Sequence, residues 1–179
     1  MTSLARWYHA TLTQNPTVTQ AVSTGFLFAA GDCIAQHAVE KKTLEEHDWA
    51  RTGRLTAYGT FGLGPAIAVW YRWLNTTVKI KNPFAATITR MVIDQSVFAP
   101  LNMVCFFTAM GVMEGKSGDE IKKKMRETFV PTLKANYALW PPIQLVNFYL
   151  TPVNYQSLVV NVTALGWNSY LSFANAKTA

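Results

Sequence analysis

Marking only Asp, Glu, Lys and Arg along the chain leaves four charge-free stretches: residues 7–31, 55–71, 95–113 and 135–176. A helix that faces water carries polar residues on its outer side at every turn, so stretches of this length are unusual for soluble helices. Each comes close to or exceeds the roughly 20 residues that cross a hydrocarbon core as helix. Breakers then place the elements. Asn15-Pro16 offers a start for a first span near 17–39, which ends at the charged segment beginning with Glu40. A second span near 53–74 ends in Trp70-Tyr71-Arg72-Trp73, an aromatic cluster of the kind that anchors a helix at headgroup level. Asn82-Pro83 opens a third, 84–111. Pro131, Pro141-Pro142 and Pro152 divide the last stretch into a helix over 132–150, broken near its middle, and another over 153–173. The pattern predicts an all-α fold: a multi-span transmembrane helical bundle with four or five spans, forming a single integral membrane domain over residues 1–179.

The strongly charged segment, 114–134, opens with Ser117-Gly118-Asp119-Glu120, a capping-box spacing. Ile121, Met125 and Phe129 follow at i, i+4, i+8 opposite Lys122, Lys123, Lys124 and Arg126. This predicts a short basic amphipathic helix, either lying on a membrane surface or packed on its own protein. Basic residues also give an orientation. Lys41, Lys42, Arg51, Lys116, Lys122, Lys123, Lys124, Arg126 and Lys134 follow the first and third spans, and Arg6, Arg72, Lys79 and Lys81 lie on the other side. The richer side is the cytoplasm or, in an organelle of bacterial descent, the matrix.

Helices in lipid approach through small residues. Thr17, Ala21, Gly25, Ala29 and Cys33 recur every four residues in the first span, and Thr56, Thr60, Gly64 and Ala68 do so in the second. Gly25, Ala29 and Gly64 are therefore helix-packing candidates, either between these helices or with another copy of the chain. Ionisable groups inside spans are costly and serve as functional candidates. Asp32, with Gln36 one turn on, and Arg90 with Asp94 at i, i+4, extended by Gln95, form an expected intramembrane polar cluster. Three roles stay open for it: a neutralised structural cluster, the lining of a solute path, or a proton relay. Asn154, Asn161 and Asn168 recur at seven residues, with Ser157 and Ser172 on nearly the same face, and Gln144 and Asn147 extend the polarity. Such a neutral polar stripe suits a wet interior or interhelical hydrogen bonds.

Composition adds little to this division. The mean hydropathy of +0.09 averages apolar spans with charged connections, and the net charge of +6 lies in those connections. Half the residues are apolar, which excludes a disordered chain. Cys33 and Cys105 cannot form a secreted disulfide framework. His9, His37 and His47 lack metal-ligand spacing, and Gly111 stands one residue too close to Gly115-Lys116-Ser117 for a phosphate-binding loop. No catalytic site, metal or cofactor is expected. The lysine-rich helix lacks the aromatic interleaving that stacks bases, so no direct nucleic-acid contact is expected either. Expected partners are the lipid bilayer, small solutes of unknown identity and, as an option, a second copy of the chain. The N-terminus shows no cleavable signal peptide, and any organellar targeting is expected to be internal.

A set of ordered motifs carries a family resemblance. Gly31-Asp32 with Gln36, Asp48-Trp49-Ala50-Arg51-Thr52-Gly53-Arg54, Gly64-Pro65 leading to Trp70-Tyr71, Asp94-Gln95 with Pro100, Trp140-Pro141 with Gln144, Asn147-Phe148 and Pro152, and Trp167-Asn168 with Tyr170-Leu171-Ser172 together resemble the Mpv/PMP family. The likeness covers nearly the whole chain and is greatest to the fungal mitochondrial branch. It implies a small multi-span helical protein without enzyme activity, thought to form or regulate a channel for small solutes. It further implies links to stress tolerance and mitochondrial DNA maintenance, and a mitochondrial inner-membrane location with the peroxisomal membrane as alternative. Where the family pattern usually holds a Lys, two Arg and a His, this chain has Ala138, Tyr149, Gln156 and Ala68. The missing cations weaken attraction for anionic solutes if that face lines a path.

Overall fold

The computed structural model describes residues 3–150 and 153–176, and among these every regular element is helical. Helix α1 spans Ser3–Gln14, a segment to which the sequence pattern assigned no helix. Helix α2, Pro16–Ile34, starts on Pro16, whose fixed backbone suits a first helical turn, and runs without a break into a π turn over Ala35–Val39. Asp48 then caps α3, Trp49–Ala57, by accepting the Arg51 backbone N–H at 2.8 Å. A second π turn, Tyr58–Leu63, joins α3 to α4, Gly64–Thr77. Asn82 caps α5, Pro83–Ile93, through the Ala85 N–H, and a third π turn, Asp94–Phe98, leads into α6, Ala99–Met113.

The second and third π turns end just before Pro65 and Pro100. Proline has no N–H to give and its ring crowds the carbonyl four residues back, so a wider turn relieves the clash while keeping the helix continuous.

Helix α7, Gly118–Leu150, begins at the expected capping box: the Ser117 N–H donates to Glu120 at 2.7 Å and the Glu120 N–H returns to Ser117 Oγ. It then runs continuously through Pro131, Pro141 and Pro142. The basic segment and the helix expected over 132–150 are therefore one rod, not a surface helix followed by a broken span. Its apolar face is covered by the protein itself. Met125 and Phe129 pack on the core of Phe28, Leu55, Tyr58, Met103, Phe106 and Phe107, and Ile121 meets Gly111. Lys124, expected on the outer face, is buried with its Nζ 3.5 Å from Glu114. Helix α8, Val153–Ala176, closes the bundle along α2.

Beside the apolar core the bundle buries polar and charged groups and turns large apolar side chains outward. Asp32, Gln36, Arg51, Asp94, Gln144 and Asn147 are buried, whereas Phe26 is 71% and Phe61 82% exposed, with Val18, Val22, Val69, Val97 and Leu101 outward beside them. An apolar surface of this extent on a monomer marks a face made for lipid or a partner. Pro16–Val39 and Pro83–Met113 are each long and apolar enough to cross a membrane.

Helix α2 is the hub, packed against α3, the second π turn, α4 and α8. The small-residue stripes meet each other here. A Cβ added at Gly25 would overlap Thr60 Oγ1, and one at Gly64 would lie 2.5 Å from the Ala21 Cα. Ala29 is half-buried on the same helix. Of the two packing options open to the stripes, Gly25 and Gly64 take the one within the chain. Gly64→Val should cost about 3 kcal/mol or more, because backbone rather than a flexible side chain must give way. Gly53→Ala, inside α3 with open space around it, should gain about 1 kcal/mol. Thermal unfolding of both variants in the same detergent checks the opposite signs.

Candidate functional site

Two polar groups are closed inside the bundle. The first lies where α2 ends. Asp32, fully buried, receives Arg51 Nε on Oδ1 at 2.7 Å and Gln36 Nε2 on Oδ2 at 2.8 Å. The Gln36 carboxamide is fixed from its other end, since Oε1 accepts the Asp48 N–H at 2.7 Å. Arg51 forks onward to Glu40, with Nη1 and Nη2 at 3.1 and 2.8 Å from its two oxygens. Burial pushes the Glu40 carboxyl up, but Arg51 and then Lys42 outweigh it and hold the group below the ordinary carboxylate value. Thr52 Oγ1 stands between Asp32 and the ring of His47.

The second group lies at the third π turn. Asp94 accepts Trp70 Nε1 at 2.9 Å and Gln95 Nε2 at 2.8 Å, and Gln95 Oε1 accepts Asn136 Nδ2 at 2.7 Å. Gln144 donates to the Tyr71 hydroxyl at 3.1 Å and accepts from Asn147 at 3.4 Å. Tyr71, Asp94, Gln95, Asn136 and Gln144 border a cavity of about 110 Å³, to which Asn102 and Asn168 add amides while Phe28, Ile67, Phe98, Met103, Phe106 and their apolar neighbours form most of the wall. A water needs about 10–15 Å³ and two to four polar partners, so the cavity takes several. Among the described residues that line it there is no Lys or Arg.

The expected single cluster of Asp32, Arg90, Asp94 and Gln95 is thus two groups. Asp32 pairs with Arg51, a residue counted in the sequence with the basic surface. Arg90 and Asp94 form no ion pair, although their i, i+4 spacing allows one. Asp94 is taken by Trp70 and Gln95, while Arg90 reaches the Val78 carbonyl at the end of α4, 3.2 Å away. Of the expected lining residues, Gln144 and Asn168 face the cavity, and Asn147 is buried against Gln144. The side chains of Asn154, Asn161 and Ser172 lie outside the described residues, as does that of Ser157. Asn102 and Asn136 line the cavity and had no periodic signal to mark them. Among the described residues no group of three or more His, Cys, Asp or Glu is placed to hold a metal ion.

A helical chain that turns valine and phenylalanine outward, closes carboxylates, amides and an arginine inside and has two helices long and apolar enough to cross a membrane has the features of a membrane protein. Comparison with known proteins makes this specific. The chain is 44% identical to Protein sym1 of Aspergillus oryzae, over 96% of this chain and 97% of that protein. It is 38% identical to Protein SYM1 of Saccharomyces cerevisiae over 97% and 91%, and 36% identical to the mitochondrial inner membrane protein Mpv17 of Rattus norvegicus over 96% and 97%. The Mpv17 / PMP22 family pattern matches residues 111–172. The chain belongs to the Mpv17 / PMP22 family, a family of membrane proteins, and its relatives place it in the mitochondrial inner membrane. None of these names denotes an enzyme. No solved structure matches the chain.

Removing one partner of a buried ion pair leaves a charge without compensation. Arg51→Gln should therefore lower stability by about 3–5 kcal/mol. Adding Asp32→Asn to it should recover part of that loss, a coupling that thermal midpoints of the two single variants and the double variant in one detergent will show.

Proposed function

We propose that the chain crosses the mitochondrial inner membrane four or five times and is channel-like for small solutes, with the central cavity as their resting place. The observation that carries this reading is the cavity itself, a mostly apolar space into which Asp94, Gln95, Asn136 and Gln144 bring polar groups, inside a bundle whose outside is apolar. Irregular or proline-bearing helix at membrane depth is tolerated where it is buried in protein or lines such a cavity. The third π turn supplies Asp94 and Gln95 to the lining, and Pro141-Pro142 flank Trp140 on α7. Helices α7 and α8, of 33 and 24 residues, are long enough to span at 1.5 Å per residue.

Solute preference follows from the lining. Amides and one carboxylate without a facing cation suit neutral polar or cationic solutes over anions. The links to stress tolerance and mitochondrial DNA maintenance that the family resemblance implies belong to the same proposal, as consequences of solute movement.

A non-conducting scaffold is the second reading, and a small-residue stripe free to engage another copy would favour it. Gly25 and Gly64 are instead covered within the chain. Planar bilayers containing the purified protein should conduct, and Asn136→Leu or Gln144→Leu should reduce the conductance several-fold while the protein stays folded. Conductance equal to that of empty bilayers in several salts would contradict the channel and leave the scaffold.

A further inference from the structure

The first π turn and the loop that follows it each carry one histidine of a hydrogen-bonded line that the cavity does not use. His37 Nδ1 lies 2.9 Å from the Lys42 carbonyl, His37 Nε2 lies 2.9 Å from His47 Nδ1, and His47 Nε2 lies 2.9 Å from Thr52 Oγ1, which in turn contacts Asp32 Oδ2. His47 and Thr52 are buried, and His37 is half-buried.

Counting hydrogens along this line fixes its protonation. The Lys42 carbonyl only accepts, so His37 Nδ1 must carry a proton. The contact between Thr52 and Asp32 needs the hydroxyl proton between two oxygens, so Thr52 has none left for His47, and His47 Nε2 must carry its own. The bond between the rings needs a third. Two neutral imidazoles supply two ring protons, so the line closes only with one more. An alternative that puts that proton on Asp32 and reverses the bonds through Thr52 and His47 would leave Arg51, whose Nε lies 2.7 Å from Asp32 Oδ1, without its carboxylate partner.

We infer that His37 and His47 together bind one extra proton, and that this pair, bridged by Thr52 to Asp32, is a proton site at the membrane boundary. The surrounding charges agree. From α2 and the turn after it come Asp32 and Glu40. The loop brings Lys42 and Asp48, with Lys41, Glu45 and Glu46 exposed, and α3 brings Arg51, with Arg54 half-buried. Helix α8, also packed on the first π turn, has no charged residue over 153–176. Two cations against three carboxylates at Asp32, Glu40, Lys42, Asp48 and Arg51 leave one negative charge, which the shared proton cancels. Trp49 offers a ring 4.2 Å from that of His47, a placement that favours a cationic imidazole.

The test is nuclear magnetic resonance of the full chain in lipid nanodiscs, labelled with ¹⁵N-histidine in a His9→Gln background so that two rings remain. Three ring protons and a nitrogen–nitrogen coupling between His47 Nδ1 and His37 Nε2 are expected. Two ring protons, or no coupling between the rings, would overturn the inference. Thr52→Val keeps the side-chain shape, removes the bridge, and should leave two ring protons where the parent has three. Three protons persisting in that variant would overturn the link to Asp32. If it does not fold, the proton count in the parent chain decides alone.

Discussion

Lipid offers no hydrogen bonds, and the architecture depends on that constraint. Every polar group at membrane depth must find its partner inside the protein. Asp32 shows the constraint at its strictest, because a fully buried carboxylate at the end of the charge-free stretch 7–31 is tenable only with a buried cation beside it. Arg51 supplies that cation, and only the return of α3 against α2 brings it within reach. The pair therefore determines how the first two rods meet. Gln36, Asp48 and Thr52 complete the coordination, and Glu40 balances the second side of the guanidinium.

Close packing and wide turns then convert this junction into an enclosed interior. The backbone contacts at Gly25 and Gly64 bring α2 against the second rod closely enough to bury the polar pair. The third π turn aims two sequence neighbours, Asp94 and Gln95, into one cavity. Asn102 of α6, Asn136 and Gln144 of α7 and Asn168 of α8 bring the remaining amides to its wall, with Asn102 held by Tyr58 and Asn136 by Gln95.

The sequence showed the helices well because charge-free runs and Asn-Pro or Ser-x-x-Glu boundaries act locally. Asp32 and Gln36 were legible for the same reason: a polar residue inside an apolar run has a cost wherever the run folds. Their partner was not. Arg51 sits between Asp48 and Arg54, where local context reads as a surface segment, and nothing short of the folded junction distinguishes it. Arg90 and Asp94 misled in the opposite way, since helical spacing permits a pair that better-placed donors, Trp70 and Gln95, displace. Pro141-Pro142 predicted a break that the continuous α7 does not show. His37 and His47 stand ten residues apart in the chain and meet because a left-handed Lys41, at φ 60°, turns the loop back on the helix end.

The central claim is that the apolar exterior faces lipid while the polar interior is sealed from it. Nitroxide labels at Phe26, Phe61 and Val97, each changed to Cys in a Cys33→Ser, Cys105→Ser chain in proteoliposomes, test it most directly. Relaxation by oxygen, which partitions into lipid, should be strong at all three sites, and relaxation by a water-soluble nickel chelate weak. Strong relaxation by the nickel chelate at these sites would mean that the exterior meets water and would contradict the account.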